Sequence, residues 1–207
     1  KRALKTRAAN LEIAWPFDDI MSILSRDKNG YGDLFTLEDK GALNKIISYQ
    51  FGLNVKWSPS GGEIIFSTKD SNGSENLFHK NIKTNSREIA LDTDVSASRC
   101  VWTNEETHVI CGFTNRSSFK TEFYKISVAD GSKILISAPR VNLTVKEIAI
   151  SRSGDILLAL NDIDSKLYAL KIKQKRLNTV MTAPLLNCPL ERSRTSVTNS
   201  ASSRPIH

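Results

Sequence analysis

The sequence predicts an all-β fold built from about four repeats of a four-stranded antiparallel sheet. Comparable residues, which we call the repeat anchors, recur at Trp15, Trp57, Trp102 and Ile150, at spacings of 42, 45 and 48 residues. An apolar pair follows each anchor at an offset of 17 to 21 residues. A repeat of about 40 to 45 residues with four strands in each unit is typical of the blades of a β-propeller.

The strand pattern is clearest in the second repeat. Leu53, Val55 and Trp57 alternate with polar residues, which places them on one face of a short strand. The turn sequence Ser58–Gly62 separates it from a second apolar strand, Glu63–Phe66. No stretch of ten or more residues shows a helical period. The body of the chain is therefore predicted to be all-β.

Spacing also predicts where the repeats begin and end. The predicted propeller spans residues 1–181, and its four units lie near residues 11–52, 53–97, 98–144 and 145–181. Leu91 belongs to the predicted outer strand of the second unit and precedes the next anchor by eleven residues. Leu4 precedes Trp15 by the same eleven residues. Residues 1–5 are therefore predicted to be the outer strand of a preceding blade, and the chain to be part of a larger propeller.

The alternative is ring closure, in which residues 1–5 complete the last blade. This interpretation is less favoured, because Leu177–Met181 could supply the outer strand of that blade. The remaining residues, 182–207, are basic and rich in Ser and Thr. Such a segment buries too little apolar surface to offset its ordering entropy, so it is predicted to be disordered.

The net charge of +7 does not predict a nucleic-acid binder. The excess of Lys and Arg lies in the two ends of the chain, whereas residues 11–170 carry 21 acidic and 18 basic residues. A nucleic-acid-binding domain concentrates its cations on a folded face. The sequence also lacks an uninterrupted run of eighteen apolar residues, so it is not predicted to contain a membrane span.

The repeat resembles a known family. The pattern apolar-x-x-Trp-Ser-Pro-x-Gly, followed by an apolar strand, a turn and Leu-Phe or Leu-Tyr, is similar to the TolB-like or WD-like propeller repeat. It is clearest at Val55–Phe78 and looser at Ile13–Phe35 and Val101–Tyr124. In the fourth unit, Ile150–Gly154 lacks the Trp. The resemblance covers residues 1 to about 181 and implies a β-propeller fold.

The last three units, with Cys100-Val101-Trp102 followed by Ile110-Cys111, also resemble bacterial propeller proteins of unknown role that carry an N-terminal membrane anchor. This resemblance implies an extracytoplasmic domain in the cell envelope. It also implies a membrane anchor upstream of Lys1.

Two sets of residues have competing structural and functional interpretations. The three Trp anchors could form an aromatic ligand-binding set, but equivalent positions in successive blades more often pack between sheets. Cys100 and Cys111 flank a predicted hairpin and could form a cross-strand disulfide or remain two buried thiols. The odd cysteine count, with Cys188, slightly favours thiols. Metal binding by these cysteines is not predicted, because no Cys-x-x-Cys or His spacing accompanies them.

The sequence contains little that indicates catalysis or metal binding. Asp27 and Asp70 each begin an Asp-x-Asn-Gly cluster, which favours a hairpin turn over a calcium loop because the closing Glu is missing. The three histidines, His79, His108 and His207, form no recognisable catalytic spacing. No catalytic, cofactor-binding or metal-binding residues are predicted.

The function expected from these observations is that of a non-catalytic β-propeller scaffold that binds a protein partner in the bacterial cell envelope. An accessory propeller of a prolyl-oligopeptidase-like hydrolase, with its catalytic domain outside this chain, is the alternative. A small-ligand or metal-stabilised propeller is a third hypothesis. No cofactor and no nucleic acid are expected.

Overall fold

The computed structural model describes residues 9–17, 20–37, 41–84, 86, 88–91, 94–115, 117–139 and 142–172. In these ranges the chain forms four antiparallel sheets in a β-propeller arrangement, which confirms the predicted fold class. The expectations for residues 1–5, 177–181 and 182–207 concern parts of the chain outside the described residues.

The sheets follow one another along the chain, and the strands of each sheet pair in chain order. Sheet 1 contains β1 (Asn10–Phe17), β2 (Ile20–Arg26), β3 (Tyr31–Leu37) and β4 (Leu43–Phe51). Sheet 2 contains β5 (Asn54–Trp57), β6 (Glu63–Lys69), β7 (Glu75–Asn81) and β8 (Ile89–Ala90). Sheet 3 contains β9 (Cys100–Trp102), β10 (His108–Asn115), β11 (Lys120–Ser127) and β12 (Lys133–Ser137), preceded by a 3₁₀ turn (Ala97–Arg99). In sheet 4 the described strands are β13 (Val145–Ile150), β14 (Ile156–Asn161) and β15 (Leu167–Lys171).

Aspartate side chains form the turns between the second and third strands of sheets 1 and 2. Asp27 Oδ1 accepts hydrogen bonds from the backbone N–H groups of Asn29 and Tyr31, both at 2.9 Å. Asp70 Oδ1 accepts the equivalent bonds from Asn72 at 2.8 Å and Ser74 at 3.0 Å. A side-chain acceptor of this kind replaces a backbone carbonyl and fixes the turn. Both aspartates thus have the turn-forming role that the sequence favoured over calcium binding.

Because strand side chains alternate, each sheet has two faces that pack against different neighbours. We call the face towards the next sheet in the chain the forward face and the opposite one the back face. The core between sheets 1 and 2 joins the forward-face residues Leu24 and Leu34 to the back-face residues Ile64 and Phe66. Two equivalent cores fill the spaces between sheets 2 and 3 and between sheets 3 and 4.

The repeat anchors lie at or near the ends of the first strands, on the back faces. Trp57 Nε1 donates a hydrogen bond to Ser22 Oγ of sheet 1 at 3.1 Å. Trp102, which is 4% exposed, donates to the Lys56 carbonyl of sheet 2, also at 3.1 Å. Ile150 packs against the core between sheets 3 and 4. These three anchors therefore reach back to the preceding sheet.

Trp15 differs from the expected packing between sheets, because its side chain is 67% exposed. It lies two residues after Ile13, which pairs with Ile23 on the back face of sheet 1. No sheet formed by the described residues precedes sheet 1 in the arrangement, so no described sheet covers this face. The indole consequently remains on the surface.

We expect Asp70→Ala to lower the free energy of unfolding by about 1 kcal/mol, because two backbone donors lose their acceptor. Asp70→Asn keeps an oxygen at the same position and should change stability by less than about 0.5 kcal/mol. Chemical denaturation of the two variants and the unmodified chain measures the difference. Calcium should leave the melting temperature of the unmodified chain unchanged. A calcium-dependent rise that Asp70→Ala abolishes would instead indicate a metal site.

Candidate binding site on the propeller axis

The first strands of sheets 1, 2 and 4 converge on a pocket of about 340 Å³. Sheets 1, 2 and 4 and the 3₁₀ turn before sheet 3 all contribute to its wall. Its lining residues are Glu12, Arg26, Asn54, Val55, Lys56, Ser98, Lys146 and Glu147. A pocket bordered by three sheets and by the turn that enters the remaining one lies near the propeller axis, so we call it the axial pocket.

Arg26 forms the rigid part of the axial pocket. Its Nε and Nη2 atoms donate to the Leu53 carbonyl at 3.0 and 2.9 Å, and Nη1 is ion-paired with Glu12. Nη2 also lies 3.4 Å from Asn54 Oδ1. Arg26 ends β2 and therefore sits beside the start of β1, from which it can reach the chain entering β5. The planar guanidinium suits this multiple donation and holds sheets 1 and 2 together at the pocket.

The rim of the axial pocket is held more loosely. Lys56 Nζ lies 3.2 Å from Glu147 Oε1, which joins sheet 2 to sheet 4. The Glu147 side chain is 61% exposed, and solvent-exposed pairs of this kind contribute only about 0 to 1 kcal/mol. Lys146 is exposed and has no hydrogen-bond or ion-pair partner among the described residues. The rim can therefore rearrange around a ligand at little cost.

The charges of the axial pocket favour an anionic ligand. Glu12 and Glu147 are each paired with a cation, and Lys146 adds a further positive charge. Three cations and two carboxylates therefore leave the lining with a net charge of +1. The arrangement can bind a carboxylate without first breaking the Arg26 contacts.

The two histidines that the structure describes lie away from this pocket. His79 is 7% exposed on the forward face of sheet 2, with Nε2 3.0 Å from Glu63 Oε2 and its ring in a T-shaped contact with Trp102. Burial lowers the pKa of His108, and the Lys125 cation adds to this effect. His207 lies outside the described residues. His79 thus belongs to the packing between sheets 2 and 3.

Cys100 and Cys111 are joined by a disulfide in the structure. They are direct partners across β9 and β10, with Cα atoms 4.1 Å apart, and both are fully buried. The sequence placed them opposite each other on a hairpin but slightly favoured thiols on account of the odd cysteine count. Cys188, which makes the count odd, lies outside the described residues.

The axial pocket was not predicted from the sequence, because its residues are scattered over three repeat units and the segment before a strand. A signal was nevertheless present in the repeat. The residue three positions before an anchor is polar in each unit, and three of these residues line the pocket: Glu12, Asn54 and Glu147. The equivalent residue of the third unit, Arg99, is ion-paired with Glu75 instead.

The described parts of the chain contain neither a membrane-spanning helix nor a metal cluster. Those residues form no helix that is both long and apolar enough to cross a membrane. They also contain no group of three or more His, Cys, Asp or Glu side chains placed to hold a metal ion.

The fold is similar to solved propeller structures at low sequence identity. TolB from Acinetobacter baumannii is 12% identical, with a TM-score of 0.54 over 74% of this chain and 38% of that protein. A proposed TolB from Agrobacterium tumefaciens is 13% identical, with a TM-score of 0.57 over 78% of this chain and 57% of that protein. The resemblance to TolB-like propellers is thereby confirmed for the fold.

A proposed dipeptidyl aminopeptidase IV from Bacteroides ovatus is also similar, at 13% identity and a TM-score of 0.55. The similarity covers 81% of this chain and 30% of that protein. The chain thus spans less than two thirds of the length of each of these three proteins. No protein-family model matches the sequence, and no curated protein matches it.

We expect the purified chain to contain one reactive thiol when it is unfolded without reductant, although the sequence has three cysteines. Cys100→Ala/Cys111→Ala should lower the free energy of unfolding by about 2–4 kcal/mol, because the disulfide closes a loop in the unfolded chain. Thiol titration and chemical denaturation measure the two effects. Cys188→Ser is the control and should leave stability unchanged. Three reactive thiols would show that the cross-strand pair is reduced.

Proposed function

We propose that this chain is a non-catalytic β-propeller domain that binds a protein partner through the axial pocket, outside the cytoplasm in the bacterial cell envelope. The observation that carries the proposal is the axial pocket itself, with its fixed Arg26 and its loosely held rim of Lys56, Lys146 and Glu147.

The size and charge of the pocket support recognition of an acidic side chain or a terminal carboxylate of a partner. A volume of about 340 Å³ accommodates one or two side chains rather than a folded domain. Lys146 would supply the first ion pair, and the exposed Lys56–Glu147 pair could open to supply a second cation. The turns after the second strands, including those formed by Asp27 and Asp70, surround the same end and would add contact area.

The kinds of side chain in the pocket support binding more than catalysis. The lining residues include no His or Cys, and the Glu12 carboxylate is held by Arg26. A general acid or base needs its proton-exchanging atom to be free to form a hydrogen bond with the substrate. Glu12 is turned towards Arg26, and Arg26 is also bonded to the Leu53 carbonyl, so this pair is already committed to holding sheets together.

The Cys100–Cys111 disulfide supports the envelope setting. Disulfides persist in oxidising compartments such as the bacterial periplasm and are rare in the cytosol. The likeness to TolB supports the fold alone, at 12% identity.

The test is recovery of a partner from an envelope extract with the immobilised chain. Lys146→Glu should lower recovery of an acidic partner about tenfold, which corresponds to roughly 1.4 kcal/mol. Arg152→Glu makes the same charge change in the β13–β14 turn, at the opposite end of the first strand, and should leave recovery unchanged. Quantitative mass spectrometry of the bound fraction measures both. Equal recovery with both variants, or no protein partner at all, would contradict the proposal.

A second candidate is an accessory propeller of a hydrolase whose catalytic domain lies outside this chain. The similarity to the proposed dipeptidyl aminopeptidase IV, of which this chain covers 30%, supports this second candidate. The complete gene distinguishes the two candidates, because a Gly-x-Ser-x-Gly segment after a predicted strand would indicate a serine hydrolase domain.

A further inference from the structure

Two turns at the end of the propeller that carries the axial pocket have exposed apolar side chains. Phe119 in the β10–β11 turn is 52% exposed, and Ile163 in the β14–β15 turn is 61% exposed. We call these two side chains the apolar tips. Sheets 1 and 2 are each followed by another sheet, yet the tips of their equivalent turns are also exposed, so exposure at this position does not depend on where a sheet lies. Those tips are polar: Lys28 and Asn29 in sheet 1, and Ser71 and Asn72 in sheet 2.

The backbone of Phe119 is left-handed, with a φ of +52°. Gly30 and Gly73 have the equivalent conformation in sheets 1 and 2, at +85° and +79°. In all three turns this residue donates its N–H to the carbonyl of the Asp or Asn that opens the turn. A left-handed backbone favours Gly, and a bulky residue there is an outlier. Because the Phe119 side chain is more than half exposed, folding recovers only part of that cost. An outlier of this kind suggests that the side chain acts in binding.

The connection between β12 and β13 holds the two turns beside each other. The Leu143 N–H donates to the Phe119 carbonyl at 2.9 Å, and the Thr144 carbonyl accepts from the N–H of Asp162, next to Ile163, at 2.7 Å. Leu143 is fully buried in the core between sheets 3 and 4, which fixes the connection. Two residues of extended chain span at most about 7 Å. The backbones of the two turns are therefore close neighbours.

The same connection leads inwards to the axial pocket. Thr144 donates its N–H to Asn161 Oδ1 at 2.9 Å, which fixes the entry into β13. Lys146, which lines the pocket, follows Thr144 by two residues. An extended peptide advances about 3.3 Å per residue, so a segment of about three to five residues reaches from Lys146 to the apolar tips.

We propose that the apolar tips are a second contact for the partner that binds the axial pocket. The occupant is an extended acidic segment of the partner protein. Its carboxylate pairs with Lys146, and a large apolar side chain about three to five residues away packs on Phe119 and Ile163. The charge of the segment follows from the +1 charge of the pocket lining, and its apolar residue follows from the two tips. This inference rests on the proposed function, because it extends the same site outwards.

Melting temperatures test whether Phe119 is kept for binding rather than for folding. Phe119→Gly removes the aromatic ring and the left-handed strain, whereas Phe119→Ala removes only the ring. Phe119→Gly should therefore melt about 2–4 °C above Phe119→Ala, and no lower than the unmodified chain. Ser165→Gly is the matched control, since Ser165 has a φ of +55° in the β14–β15 turn and its replacement leaves both apolar tips in place. Scanning calorimetry of the full chain measures these differences. Melting of Phe119→Gly well below the unmodified chain would show that Phe119 serves the fold, and would overturn the proposal.

Selection from a displayed library of short random peptides on the immobilised full chain tests the occupant. Enriched peptides should combine Asp or Glu with a large apolar residue about three to five positions away. One enriched peptide is then synthesised, and its affinity is measured by fluorescence anisotropy. Lys146→Glu, Phe119→Gly and Ile163→Ser should each weaken binding about tenfold. Ser165→Gly should leave the affinity unchanged.

The variants separate failure of this inference from failure of the proposed function. Loss of affinity with Lys146→Glu alone would support the axial pocket and overturn the role of the apolar tips. Loss with Phe119→Gly alone would contradict the proposed function and the shared site. Enrichment of peptides without an acidic residue, or of none, would overturn the inference. Light scattering that gives twice the chain mass, reduced to one by Phe119→Gly, would show that a second copy covers the tips and would also overturn it.

Discussion

Each joint between neighbouring sheets depends on the side chain that ends the first strand of the later sheet. In two of the three joints this side chain is a Trp, which buries apolar area against the preceding sheet and satisfies its N–H there. An indole can do both only if the acceptor is at a fixed distance from the core. The indole hydrogen bond therefore fixes the position of each anchor relative to the preceding sheet.

Polar contacts between sheets lie near both ends of the first strands. Near the axial pocket, Arg26 binds the Leu53 carbonyl and connects sheets 1 and 2. At the opposite end the Glu106 carboxylate accepts hydrogen bonds from the backbone N–H and hydroxyl of Ser60, both at 2.6 Å, and Asn104 donates to the Arg152 carbonyl at 2.7 Å. Hydrogen bonds add direction to apolar packing, so they limit sliding of one sheet over the next.

The sequence was sufficient to predict the fold because the repeat is local: anchors, apolar pairs and Asp-led turns each recur within one unit. It was less informative where two units meet. Trp15 occupies the same position in the repeat as Trp57, but its exposure depends on which sheet covers it, and no local pattern contains that information. The axial pocket is a similar case, since Glu12 and Glu147 come together only when the sheets are arranged around an axis. The Cys100–Cys111 disulfide could be predicted in part. The register of one hairpin places the two cysteines opposite each other, but formation of the bond depends on redox conditions.

The position three residues before an anchor shows how such a repeat can acquire a function. The anchor and the alternating apolar residues are constrained by the joints, whereas the start of the first strand faces the axis and makes fewer apolar contacts. Polar residues can be exchanged there at little cost in packing. Glu12 and Asn54 contact Arg26, whereas Glu147 forms an exposed ion pair with Lys56. In the axial pocket, Arg26 therefore stabilises the fold, whereas Lys56, Lys146 and Glu147 can be exchanged with little effect on packing. The specificity of the proposed binding would reside in these three residues rather than in Arg26.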